Sequence, residues 1–139
     1  MSNRTSAVTV TLTNGYILYG GWKNGSGTTL SGSSAVGLVF GGKGTSNILS
    51  AGKTWPCNFD INTVFGTVSL SDTFTQSTSS GYIFTITSGI LKTNDYNMTV
   101  WTMVSTSGVW RKLDLGSSTI SIAANNTSST VANFVGVNQ

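Results

Sequence analysis

Histidine and glutamate are absent from this 139-residue chain, and cysteine and proline occur once each. Each gap removes chemistry. Without His there is no Ser-His-Asp triad, no Cys-His pair, no His-ligated zinc and no imidazole switch near neutral pH. A single cysteine excludes an internal disulfide. Its setting, Trp55-Pro56-Cys57-Asn58-Phe59, reads as a small buried hydrophobe rather than a nucleophile. Charged residues make up only 8% of the chain, against about 25% in an average soluble domain. The acids are Asp60, Asp72, Asp95 and Asp114. No apolar run approaches the ~18 residues of a membrane-spanning helix. Met1-Ser2-Asn3-Arg4-Thr5 leads into alternating Val and Thr, so no secretory leader is visible and the compartment is left open.

What remains is rich in Ser, Thr, Gly and Asn, which suits strands and turns better than helices. The chain is still 38% hydrophobic and 10% aromatic, with a mean hydropathy of +0.11. Disordered chains combine low hydrophobicity with high net charge, so this one is expected to fold. Its length fits one domain spanning 1–139. The pI of 9.3 and net charge of +3 reflect a shortage of acids rather than a basic face. Lys23, Lys43, Lys53 and Lys92 are scattered, and only Arg111 and Lys112 adjoin, which argues against a nucleic-acid partner.

Period-2 alternation dominates the pattern. From Ala7 to Thr13, Val8, Val10 and Leu12 take one face and the threonines the other. Asn14-Gly15 follows, a strong hairpin signal that would set Thr13 opposite Tyr16 and Leu12 opposite Ile17. A second hairpin is expected from 96–104 and 109–113, placing Trp101, Met103, Trp110 and Lys112 on one face and Val100, Val104, Val109 and Leu113 on the other. Further short strands are expected at 35–40, 47–49, 54–61, 64–70, 82–87, 119–123 and 130–137, and Pro56 should mark an edge or bulge. No internal sequence repeat is evident. The expected fold is therefore all-β, a single-domain antiparallel β-sandwich of about eight to ten strands.

Candidate catalytic sets fail on spacing. Gly41-Gly42-Lys43-Gly44-Thr45 lacks the register of a phosphate loop, and nothing brings Asp60 and Asp72 together as an acid–base pair. No stretch has calcium-loop spacing. Neither an enzyme, a metal nor a cofactor is expected. The aromatics are the better lead. Tyr16, Tyr19 and Trp22 flank a Gly-rich turn, and Trp101, Trp110, Arg111 and Lys112 fall within one hairpin. Trp and Tyr can stack on sugars or settle among lipid headgroups, with Arg or Lys adding a phosphate contact. The competing reading is that the same rings fill the core. Thr9, Thr11 and Thr13, with Thr85 and Thr87, read as solvated strand faces.

One family likeness rests on order along the first half. A strand from Val8 to Asn14 is followed by an aromatic-Gly segment with Trp22, then Ile48-Leu49-Ser50-Ala51-Gly52-Lys53-Thr54. A strand through Phe59 and Phe65-Gly66-Thr67-Val68-Ser69-Leu70-Ser71-Asp72 complete the series. This order resembles the aegerolysins, small leaderless β-sandwich proteins that bind membrane lipids and often act with a pore-forming partner. The chain departs from them in being basic and in having Ser69 where their Gly-Thr-x-Gly-like segment has its second Gly. A basic, aromatic-bearing sandwich is also similar to actinoporin-like toxins and the lectins sharing that fold, without a residue-by-residue match. The resemblance implies a non-enzymatic, lipid-binding, pore-forming cytolysin that oligomerises on membranes. The alternatives from the residues are a lectin that stacks glycans on Trp and Tyr, and a self-assembling viral or fibre subunit.

Overall fold

A computed structural model describes residues 6–105, 109–124 and 132–134. The chain winds as a parallel β-solenoid of about five turns, and the antiparallel sandwich expected from the sequence is not the fold. Every strand pair described is parallel, and no helix occurs among the described residues.

Each coil contributes to three stacks of strands. The first coil holds β1 (Val8–Thr11), β2 (Tyr16–Leu18) and β3 (Trp22–Lys23). The second holds β4 (Thr28–Ser31), β5 (Gly37–Phe40) and β6 (Thr45–Leu49). In the third, β7 (Thr54–Trp55) is followed by the long β8 (Asn58–Leu70), which turns a corner and serves two stacks. The fourth repeats this with β9 (Phe74–Gln76) and β10 (Ile83–Lys92). The fifth has β11 (Met98–Val100), β12 (Thr102–Ser105) and β13 (Arg111–Asp114), and β14 (Ile120–Ile122) and β15 (Ala132–Phe134) continue beyond it. The first face stacks β1 on β4 and β7-β9-β11-β14. The second stacks β2-β5-β8-β10-β12-β15, and the third β3-β6-β8-β10-β13. The first face is interrupted between β4 and β7, beside Pro56, which has no N–H to donate to a ladder.

Alternation was read correctly as inside and outside for Val8, Val10 and Leu12, but Ile17, expected on their face, is exposed while Leu18 packs on the core, and the partner strand was misread. Asn14-Gly15 does not close a hairpin. It turns the chain from the first face to the second, and Tyr16 lies beside Leu38 of the next coil rather than opposite Thr13. Tyr16, Leu38, Phe59, Phe84 and Met103 form one column, advancing 22, 21, 25 and 19 residues per coil. The second expected hairpin is absent as well: β12 and β13 both pair with β10, one on each side of its corner, and Met103 is buried. Residues 106–108 of its expected loop, and 130–131 and 135–137 of the expected strand 130–137, lie outside the described residues.

Like residues meet along each column, so burial of one apolar side chain covers its neighbours above and below. Leu38, Phe59, Phe84 and Met103 are buried, as are Phe40, Ile61 and Ile86 in the adjacent column. Each fully buried side chain of this size contributes about 1.5–3 kcal/mol. Phe59 stacks on Phe84 with centroids 5.6 Å apart and meets Trp55 edge-on at 5.2 Å. Cys57 is buried at the same level, as expected of a small hydrophobe.

Turn residues tie neighbouring coils at the corner between the third face and the first. The Ser50 and Ala51 N–H groups donate to the Asp72 carboxylate at 2.7 and 2.6 Å, holding Ala51 at a φ of 52°. Asn94 donates to the Leu70 carbonyl at 2.8 Å, and the Ser117 N–H donates to Asp95 at 2.7 Å. Asp and Asn here do structural work across coils, which accounts for two of the acids the sequence left unassigned.

Candidate functional site: an aromatic cleft at one corner

The corner joining the second and third faces is built differently. Gly42, Gly66 and Gly89 succeed one another in coils two, three and four, each close under its neighbour's backbone. A Cβ on Gly42 would stand 3.0 Å from the Tyr19 carbonyl oxygen, and one on Gly89 would stand 2.9 Å from that of Gly66. The Gly89 N–H donates to the Trp110 carbonyl at 3.1 Å, completing the line to the fifth coil. Glycine thus lets the coils approach closely, while bulky side chains project from the odd-numbered coils.

Phe65 projects furthest. It is 81% exposed and sits at a φ of +62°, a left-handed conformation that bulky side chains rarely adopt. Its ring lies 6.4 Å from that of Trp110, tilted by 35°. Coil four, between them, offers only Ser88 and Gly89, so the two rings lean together over a low saddle. Val64, Phe65, Ser88, Val109 and Trp110 line an open cleft of about 190 Å³. No titratable group lines it. The Ser88 hydroxyl donates to the Asn62 side-chain oxygen at 3.0 Å, which fixes an exposed amide beside the saddle.

Only part of the expected site assembles here. Trp110 is in the cleft, and Tyr19, 78% exposed, stands at the same corner two coils before Phe65. Tyr16 belongs to the first coil's end of the core column and is partly exposed there. Trp22 points inward, packs edge-on against Trp55 at 5.9 Å and donates its indole N–H to Asn24 at 2.9 Å. Trp101 is half-buried between β11 and β12, at a different corner. The Arg111 Nε donates to the Ser105 hydroxyl and its Nη1 to the Val109 carbonyl at 2.8 Å, so the guanidinium braces its own corner. Lys112 is exposed and pairs with Asp114 at 3.5 Å. The aromatic and cationic groups do not form one face. Among the described residues, no cluster of three or more potential metal ligands occurs.

Phe65, Val64 and Val109 were missed. The available signal was a phase slip: Ile61 and Thr63 point inward, and so do Gly66, Val68 and Leu70, which leaves two adjacent apolar residues, Val64 and Phe65, both outside.

Comparison with protein-family models, curated proteins and solved structures finds no match for this chain. The sandwich that the aegerolysin resemblance implies is replaced by the solenoid. The small-cytolysin expectation drew on that sandwich and on Trp, Tyr, Arg111 and Lys112 acting together, and nothing in the structure supports toxin action or lipid binding.

Proposed function

We propose that this chain is a non-catalytic glycan-binding protein, a rigid solenoid that presents an aromatic platform to sugar rings. The Phe65–Trp110 pair carries the reading. An exposed aromatic held at a costly backbone angle is a candidate for function because the fold gains nothing from it. Sugars offer apolar C–H faces to such rings and hydroxyls to nearby amides and hydroxyls, and the exposed Asn62 amide, held by Ser88, and the Ser/Thr-rich surround supply these. The lining has no acid or base, which favours binding over hydrolysis. A headgroup site, by contrast, would need cations beside the rings, whereas no charged residue among those described lines this cleft.

The test is titration of the protein with soluble oligosaccharides, followed by tryptophan fluorescence and calorimetry. Phe65→Ala and Trp110→Ala should each weaken binding at least tenfold, about 1.4 kcal/mol, with the near-ultraviolet dichroism of the buried rings unchanged. Unaltered affinity in both variants would remove the cleft as the site.

A second reading, self-association, is favoured by the first coil. Its strands have unpaired backbone on their outer side among the described residues, and Ile17 is exposed beside them. Concentration-dependent sedimentation that Ile17→Lys abolishes would support it.

A further inference from the structure

Resting on the glycan reading above, we infer that the ligand is an extended linear glycan lying along the solenoid axis on a ridge formed by Tyr19, Phe65 and Trp110. These three side chains stand at one corner in coils one, three and five, and coils two and four pass beneath with Gly41, Gly42 and Gly89. The placement of Tyr19 over the ridge is direct: a Cβ on Gly41 would lie 3.7 Å from its ring. Parallel strands stack ~4.8 Å apart, so four coil spacings from Tyr19 to Trp110 extend over ~19 Å. That is longer than one sugar ring and suits several in a row. The Phe65 and Trp110 rings lean together into one platform, and Tyr19 supplies a second, separate one, so the site is elongated along the axis rather than round.

Charge agrees with this occupant. Lys43 is the one charged residue between Gly41 and Gly44 on the ridge, and no Asp occurs in the corner segments 41–44, 63–66 or 87–89. Arg111, next to Trp110 in the fifth coil, donates to the Ser105 hydroxyl and the Val109 carbonyl, so the lining of the platform itself is uncharged. The strands on either side of this corner stack in parallel, so the ridge follows the solenoid axis although β8 carries extra residues over β10 between Asn62 and Thr67, and it fits a chain that is itself straight. A β-1,4-linked glycan is extended and ribbon-like, whereas an α-1,4-linked one curls away after a few units.

The experiment compares a disaccharide and a hexasaccharide of β-1,4-linked glucose or N-acetylglucosamine, and an α-1,4-linked glucose hexasaccharide, on the full chain and on Tyr19→Ala. Tyr19 is exposed, so its truncation leaves the core intact, and the buried-ring dichroism checks this. The expected result is a β-linked hexasaccharide bound at least tenfold more tightly than the disaccharide, an advantage that Tyr19→Ala erases while leaving the disaccharide affinity unchanged. Equal affinity for both lengths, with Tyr19→Ala silent but Phe65→Ala still damaging, would overturn the ridge and leave the local cleft standing. Equal binding of the α-linked chain would overturn the extended geometry. Binding of none of these sugars would overturn both the ridge and the glycan reading.

Discussion

Gly66 packs directly under the carbonyl of Gly42 in the preceding coil: a Cβ built on it would stand 2.5 Å from that oxygen and 2.8 Å from the Thr63 Cβ. The contact is backbone on one side, so nothing flexible can yield. Gly66→Ala should therefore destabilise the fold by about 2 kcal/mol, the range of an overpacked site. Gly44, one coil earlier at the same corner, has nothing within 4 Å of its virtual Cβ. Gly44→Ala should stay within ~0.5 kcal/mol of the parent. Urea midpoints of the two variants provide the check, and equal effects would mean the coils are not packed as described.

Asp95 should make the fold acid-sensitive. The Ser117 backbone N–H, then the Ser117 hydroxyl, and to a lesser degree Lys92, hold its carboxyl below the ordinary value of about 3.8. A carboxyl depressed in the folded state stabilises above its unfolded pKa, and that contribution is lost as the pH falls through the folded one. The loss should therefore begin near the ordinary carboxylate value and continue downward. Asp95→Asn retains an acceptor but cannot titrate, so the difference between parent and variant urea midpoints should be flat near neutrality and shrink on acidification. A difference independent of pH would remove Asp95 as a contributor.

These clamps bear on what the sequence could reveal. Inward and outward positions were legible, because Val8, Val10 and Leu12 obey the two-residue period of any strand. Strand direction was not, since that period is the same in parallel and antiparallel sheets. Asn14-Gly15 suits a hairpin and equally a corner, and only Leu38, 22 residues after Tyr16, settles which. The coil repeat stayed hidden because steps of 19 to 25 residues between Leu38, Phe59, Phe84 and Met103 keep the column apolar without repeating a motif. At the site, Tyr19 was legible as an aromatic near a Gly-rich turn and Trp110 as a tryptophan of the expected second hairpin. Phe65 was not, because its exposure follows from a positive φ at a corner inside β8, two residues into the stretch 64–70 that alternation marks as one regular strand.

Cys57 should be inert in the folded protein. Burial pushes its thiol up to about 12, so almost no thiolate exists near neutral pH, and no surface of the side chain meets solvent. Iodoacetamide at pH 8 should leave the native chain unlabelled by mass spectrometry and label it fully in guanidinium. Rapid native labelling would mean that the column around Trp55 and Phe59 opens readily.

Phe65 should show stability and binding pulling in opposite directions. A non-glycine residue in the left-handed region costs about 1–2 kcal/mol, and Asn bears it best after Gly. At a φ of +62° with the ring 81% exposed, Phe contributes little to the core that would offset that cost. Phe65→Asn should consequently raise the unfolding free energy by roughly 1 kcal/mol, while losing the platform that Trp110 shares. Thermal unfolding and oligosaccharide titration on the same preparation measure both sides. A more stable variant that binds as well as the parent would show that the strain at Phe65 serves something other than the sugar. A less stable one would show that the ring packs on Trp110 strongly enough to justify its own conformation, and the case for function at this corner would then rest on Tyr19 and Trp110 alone.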